Sequence, residues 1–451
     1  MSWIAWKMLV GDKAKFFGII LGLTFASLLI TQQGSIFCGL MCRTAGQIFD
    51  ITGADLWVMD ANVRYIDDVK PMIENSLYRV RGIEGVLWAV PLYKGNARAK
   101  VNSYGVGVDA QTKKPRRVKY EVIEQVVMLG LDDSSMVGAP PPERMIVGKL
   151  SDLRKPDAVI VDYTRLDKLY PGEPWDLLGK KKGMRERARD LARGMIAALE
   201  QRVARGHSTA SEPPATEAEE VEARTAFYRR FIGRELEMND HRAVIVGICE
   251  ATRTFQSNAV VYTTYSRAKL FAPQERKVLS YVLAKTDEGH TPAEVAAAIS
   301  RQTGLKARTS HEFVWDTIWY YMKYTGIPIN FGITAALGFL VGTAIAGQTF
   351  YNFTIENLKQ FGALKAMGAT NGRIVGMILL QATVVGLLGY GIGVGLAAYF
   401  GYLSQGGELA FYTPWELLPI TAAAVVLICI LASIVSVRRV VVLEPAVVFR
   451  G

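Results

Sequence analysis

Residues that carry reaction chemistry are scarce in this sequence. Among 451 residues there are four cysteines and four histidines. Cys38 and Cys42 lie one helical turn apart, Cys249 stands alone and Cys429 sits in an apolar run, so there is no disulfide framework. His207, His241, His290 and His311 show neither H-E-x-x-H nor Cys/His ligand spacing, which leaves no metal site to assign. No G-x-S-x-G elbow occurs. No G-x-x-x-x-G-K-[ST] loop occurs either, so the chain lacks a phosphate cradle of its own for ATP. No catalytic residue is assigned.

Charge is missing from four long stretches: Phe16–Cys42, Tyr324–Ile355, Ile374–Gly407 and Leu417–Val437 contain no Asp, Glu, Lys or Arg. About 20 apolar residues cross a hydrocarbon core as a helix, and each run is long enough. The first exceeds a signal-peptide core and lacks a small-x-small cleavage site, so it reads as a retained anchor. In the interiors of the runs, leaving aside Gln405 near the end of the third, the amide side chains are Gln32, Gln33, Asn330, Gln348, Asn352 and Gln381. That poverty argues against a hydrophilic path between the spans.

The charges that flank the runs orient them. Lys7, Lys13 and Lys15 precede the first, Lys359, Lys365 and Arg373 separate the second from the third, and Arg438, Arg439 and Arg450 follow the fourth. Opposed to them are Asp12, Glu356 and Glu444, whereas the loop between the third and fourth runs holds Glu408 and Glu416 and no cation. The positive-inside rule then predicts both termini and the 354–372 segment in the cytoplasm, with the long middle region across the membrane. Trp315, Trp319, Tyr320, Tyr321 and Tyr324, with Phe411, Tyr412 and Trp415, are placed as interfacial belts in contact with membrane lipids. The net charge of +10 is spread along the chain and points to no nucleic-acid partner.

The fold class expected is an α-helical membrane protein with four transmembrane helices and a large mixed α/β extracytoplasmic domain. Its parts are a cytoplasmic amphipathic segment at 1–15, a span at 16–42, the α/β domain at 43–323 and a span at 324–353. A cytoplasmic helix at 354–372, a span at 373–402, an outer loop at 403–416, a span at 417–437 and a cytoplasmic tail at 438–451 complete it. Within the domain, "ADLWVMDANV" and "GVLWAVPLY" read as strands around a helix over Asp67–Arg81, closed by Gly82. "DAVIVDY", "HRAVIVGICEA" and "NAVVYTTY" read as further strands. "TPAEVAAAISRQTG" has Thr291 as N-cap, Pro292 in the first turn, Glu294 for a capping box and Gly304 as stop, and is flanked by "VLSYVLAK" and "LKARTS" as a β-α-β layer. From Gly179 to about Arg234 the composition turns to Ala, Arg and Glu around a polar centre. This segment is predicted to be a helical arm, either merely solvated or a docking arm for an accessory protein.

Between the second and third spans, Ile355, Leu358, Phe361, Leu364 and Met367 recur every third residue, with Glu356, Lys359, Gln360 and Lys365 on the other sides. The pattern predicts a short amphipathic helix stopped by "GATNG". It is either an interfacial strut or a lever on which a cytoplasmic motor pushes. In the spans, Gly18/Gly22, Gly338/Gly342, Gly389/Gly393 and Gly391/Gly395 are spaced for close helix packing, including against a partner copy.

"ENLKQFGALKAMGATNGRIVGMILLQ" resembles the signature of FtsX-like ABC permeases, and the tail "RRVVVLEPAVVFRG" is similar to that family's closing pattern. "YTGIPINFGIT" and "LEMNDHRAVIVGICEATRTFQSNAVVYTTYSRA" look closest to DevC-type exporter permeases, and the outer portion resembles a MacB-type periplasmic domain. The resemblance implies a homodimer in the bacterial inner membrane that works with a cytoplasmic ABC ATPase, to which ATP and Mg would bind. It further implies a HlyD-type membrane-fusion adaptor and an outer-membrane channel. It assigns ATPase contact to Glu356, Lys359, Phe361, Leu364, Lys365 and Met367, and mechanical transmission of ATP-driven motion to the outer domain. Alternatives are a signalling permease that controls an outer hydrolase, a lipoprotein-releasing permease and, more distantly, a membrane-anchored ectoenzyme.

Overall fold

The structure, a computed structural model, describes residues 2–11, 13–108, 115–171, 173, 175, 217–273, 278–404 and 409–442. Helices α1 (Ser2–Gly11), α2 (Lys13–Thr44) and α3 (Gly46–Asp50), strand β1 (Leu56–Met59) and helix α4 (Asn75–Arg81) precede a long hairpin of β2 (Val86–Val108) and β3 (Pro115–Leu131). Then come β4 (Met145–Val147), β5 (Ala158–Asp162), α5 (Leu166–Leu169), α6 (Glu217–Arg229), β6 (Glu235–Met238), β7 (His241–Cys249) and β8 (Ala259–Thr264). They are followed by α7 (Tyr265–Phe271), β9 (Tyr281–Thr286), α8 (Pro292–Thr303), β10 (Lys306–Thr309) and α9 (Ser310–Tyr324). Four helices close the chain: α10 (Ile327–Glu356), α11 (Leu358–Ala366), α12 (Asn371–Ser404) and α13 (Leu417–Val441). The chain divides into two units, Met41–Tyr324 and Met1–Leu40 with Thr325–Gly451.

In the first unit, β1 and β2 both run antiparallel to β9, which lies between them, while β9 and β10 both run antiparallel to β1. Two β-α-β units, closed by α4 and α8, thus interleave in the order β10-β1-β9-β2, a ferredoxin-like sheet. The alternation of β1 shows why it is buried on both faces. Leu56 and Val58 join the cluster under α4 and α8, whereas Trp57 and Met59 join the cluster that holds Phe313 of α9. The Trp57 ring meets Tyr281 and Phe313, each at 5.4 Å between centroids. Helix α8 is capped by Thr291 and Glu294, which bond each other's backbone N–H at 3.4 and 3.0 Å, and it stops at Gly304 with φ +69°. The helix expected over Asp67–Arg81 begins only at Asn75, because Pro71 disfavours helical backbone before it and supplies no N–H.

Beyond Leu92, β2 leaves this sheet. Pairings then run from β2 through β3, β8, β5, β7 and β6 back to β2, a closed ring of six strands without free edges along the closed part. Every residue of β5 and of β8 is buried. The β2–β3 hairpin was not foreseen, although "RRVKYEVIE" alternates with period two.

The predicted arm needs a shorter C-terminal limit. Phe227, Tyr228 and Phe231 are buried with Tyr170 and Trp175, and Phe231 lies 5.2 Å from the Tyr170 ring and 5.5 Å from that of Trp175. Burial pushes the Tyr170 hydroxyl up to about 12. The chain is therefore core from Phe227 onward, not arm to Arg234. The stretch 179–216 lies outside the described residues.

In the second unit, α2, α10, α12 and α13 are each long and apolar enough to cross a membrane. Leu23, Ala26, Phe350, Val385 and Ile428 share their core. Gly342 meets Ala26, Gly338 meets Leu29, Gly389 meets Leu23, and Gly393 meets Thr24 and Ser27. All four glycines accordingly face α2 of the same chain. A Cβ on Gly393 would come within 2.7 Å of the Thr24 carbonyl oxygen, and one on Gly389 within 2.6 Å of the Leu23 Cβ. Among the described residues nothing lies within 4 Å of a Cβ placed on Gly391 or Gly395.

Candidate functional site

The segment between α10 and α12 is built by two helix ends and a short helix. Asn357 closes α10: its Nδ2 donates to the Phe353 carbonyl at 2.8 Å, and its own carbonyl accepts from Phe361 N at 3.0 Å. Thr354 and Ile355, expected in the short helix, belong to α10; the break falls at Asn357. At the far end Ala369 N–H donates to Leu364 O at 3.0 Å and Gly368 N–H to Lys365 O at 2.9 Å, a Schellman turn. It requires φ +91° at residue 368, which glycine supplies without strain. The sequence "KAMGAT" thus ends α11 by its backbone geometry.

The apolar stripe of α11 faces inward. Phe361 and Leu364 are buried with Ala5 of α1, Ile374, Met377 and Ile378 of α12 and Val440 of α13. They were expected to contact an ATPase; in this chain they hold α11 against its own helices. Lys365 Nζ donates to the Val441 carbonyl at 2.9 Å, where a cation also complements the C-terminal end of α13. Glu356 forms an ion pair with Lys15 at the start of α2. Lys359, Gln360 and Met367 remain exposed, Met367 at 76%. Of the six assigned residues, therefore, Glu356, Lys359 and Met367 present surface, Phe361 and Leu364 pack, and Lys365 anchors.

Beside the junction lies a groove of about 520 Å³ lined by Trp3, Lys7 and Met8 on α1 and by Glu356, Asn357 and Gln360. Lys7 Nζ sits 4.6 Å from the Trp3 ring. The α1 wall was missed at the level of sequence, where Trp3, Trp6 and Lys7 gave the only signal. Ala5 and Leu9 on its other side are buried, and Gln381 Nε2 donates to the Ala5 carbonyl at 2.8 Å.

The sequence of these helices has known relatives. Residues 315–445 match the family described as FtsX-like permease C-terminal. This stretch is similar to FtsX-like permease domains. An uncharacterized ABC transporter permease of Mycobacterium bovis is 32% identical over 119 residues, 26% of this chain and 33% of that protein. Another, of Mycobacterium tuberculosis, is 31% identical over 122 residues, 27% of this chain and 34% of that protein. The chain spans about one third of the length of these curated relatives. The extracellular domain of YknZ, a noncanonic ABC-type transporter from Gram-positive bacteria, is similar at 11% identity and a TM-score of 0.29, with 57% of this chain and 98% of that one covered. The periplasmic region of MacB from Actinobacillus actinomycetemcomitans is similar at 9% identity and a TM-score of 0.30, with 59% and 92% covered. Likeness at that level adds nothing to the reading of the α/β unit. The similarity to permeases rests on the α9–α13 stretch.

Proposed function

We propose that this chain is the membrane permease subunit of an ABC exporter, driven by a separate cytoplasmic ATPase that seats on α11. The observation that carries the reading is the division of labour on that helix: Phe361, Leu364 and Lys365 tie it to α1, α12 and α13, while Lys359, Gln360 and Met367 stay exposed. A helix held on one face and open on the other passes a push into the spans that flank it. In this reading Lys359 and Met367 contact the ATPase, and Glu356 joins them at the rim while paired with Lys15. Two copies assemble in the inner membrane with both termini cytoplasmic, and a membrane-fusion adaptor and outer-membrane channel continue the path. ATP and Mg belong to the partner.

The decisive experiment compares two variants in nanodiscs. Met367→Asp combined with Lys359→Glu alters only exposed groups, so the protein should insert and melt normally while ATPase co-purification falls about 30-fold, as for loss of one interface hot spot. Phe361→Ala should retain the ATPase yet uncouple ATP hydrolysis from the outer unit. If the double variant keeps its ATPase with normal coupled hydrolysis, α11 is a strut and the reading is wrong.

A further inference from the structure

A cavity of about 440 Å³ opens in the α/β unit where β2 passes from the ferredoxin-like sheet into the six-stranded ring. Strand β2 pairs with β9 as far as Leu92 and with β6 from Ala99. Between these points Tyr93–Arg98 has β3 on one edge and, among the described residues, no strand on the other. Alternate residues of a strand turn N–H and C=O to the same edge, so Lys94, Asn96 and Arg98 face the open side.

Side chains close two of the three positions. Lys94 N–H donates to Ser280 Oγ at 3.0 Å, and Ser280 Oγ donates back to the Lys94 carbonyl at 3.1 Å. Arg98 N–H donates to Asn239 Oδ1 at 2.9 Å, and its carbonyl accepts from Asn239 N at 3.0 Å. Asn96 lies between them and lines the cavity. Among the described residues no strand or side chain meets its N–H and C=O on that edge.

The cavity holds a second set of uncommitted groups. The Lys94 side chain is only 5% exposed, and among the described residues its ammonium has the Asp67 carboxylate as sole partner, which leaves donors to spare. Tyr65, Tyr93, Val127 and Val278 give the walls apolar area. Since Lys94 and Asp67 cancel in charge, a free anion gains little net attraction here. A group that offers an acceptor and a donor side by side fits better, and the peptide unit is such a group.

We propose that this cavity binds a short extended peptide segment, which adds to the open edge of β2 by exchanging backbone hydrogen bonds with Asn96 and sets a neighbouring carbonyl against the Lys94 ammonium. Strand addition supplies affinity from the main chain, and the Tyr65 and Tyr93 walls select the side chains. The site is independent of the α11 reading.

The test uses the full chain in nanodiscs and saturation-transfer NMR with acetyl-trialanine amide as probe. The peptide should show transfer, and its fully N-methylated analogue, which cannot donate, should not. Asn96→Pro removes an N–H that no other group among the described residues uses and should weaken the peptide about fivefold, the worth of one hydrogen bond. Lys94→Met should weaken it similarly, and acetate should not displace it. Equal binding of the N-methylated peptide, no binding of the parent peptide, or displacement by acetate would overturn the proposal. If Asn96→Pro fails to fold, the two peptides on the unaltered chain decide the question.

Discussion

The two units differ in what they leave exposed and in how tightly their elements meet. In the α/β unit the interior is made of large side chains, with Trp57, Tyr281, Phe313 and Phe231 fully enclosed. In the unit that carries the four long helices, Leu340 and Leu387 are 63% and 66% exposed, while Gly342, Gly389 and Gly393 lie between helices. Water explains the first pattern, since each enclosed large side chain contributes about 1.5–3 kcal/mol by leaving it. Among lipid tails a leucine gains nothing by turning inward, and close approach of backbones decides instead. Large apolar residues therefore fill the core in one unit, whereas in the other they occupy both the periphery, as Leu340 and Leu387 do, and the core, as Phe350 and Leu23 do.

The largest expected effect tests the first half of this comparison. Replacing 179–216 by a short Gly/Ser loop should leave a folded, inserted protein, because loop closure depends only weakly on length. Extending the excision to 234 removes Phe227, Tyr228 and Phe231 from their cluster with Tyr170 and Trp175, and the α/β unit should fail to fold. Phe231→Ala alone should cost about 3–5 kcal/mol. Limited proteolysis and thermal melts read all three. Normal melting after the long excision would show that the aromatic cluster is not core.

Much of this architecture was legible in the sequence, and for a physical reason. Charge-free runs longer than a bilayer needs are hard to mistake, so the four long helices and the α/β region between the first and second could be read directly. The capping box at Thr291 and Glu294 and the stop at Gly304 were equally plain, because caps are local. What could not be read was which face of an element is covered. Phe361, Leu364 and Met367 share one threefold repeat, yet only the first two are buried, since the surroundings of α11 include α1 and α13, far away in sequence, beside the neighbouring α12. The interleaving of β1, β9, β2 and β10 and the six-stranded ring are non-local in the same way. The end of the arm was misread because Ala, Arg and Glu dominate the window that contains Phe227, Tyr228 and Phe231.

An intermediate effect should separate two pairs of glycines on one helix. Gly393→Leu on α12 places a side chain where even a Cβ would lie 2.6 Å from Ser27 Cβ and 2.7 Å from the Thr24 carbonyl. Overpacking of this kind costs about 1–3 kcal/mol or more. Gly391→Leu, two residues earlier, meets open space and should change stability little. Unfolding in detergent titrations measures both. Equal losses would mean that Gly391 is also covered, which points to a neighbouring chain on that face.

The smallest effect tests the second half of the comparison. Leu340→Ala on α10 removes a side chain that is 63% exposed within the chain. If lipid surrounds it, the lost contacts are exchanged for contacts between lipid and helix, and the change should stay within about 0.5 kcal/mol, as for surface substitutions elsewhere. A buried leucine truncated in the α/β unit, Leu283→Ala, should cost about 2–5 kcal/mol in the same preparation. The contrast between one leucine and the other is the rule in its simplest form. Should Leu340→Ala prove as costly as Leu283→Ala and also shift the protein to a smaller species on light scattering, then Leu340 is not lipid-facing. It would instead lie in the interface of the proposed pair of permease subunits, and the outer face of α10 would count as core.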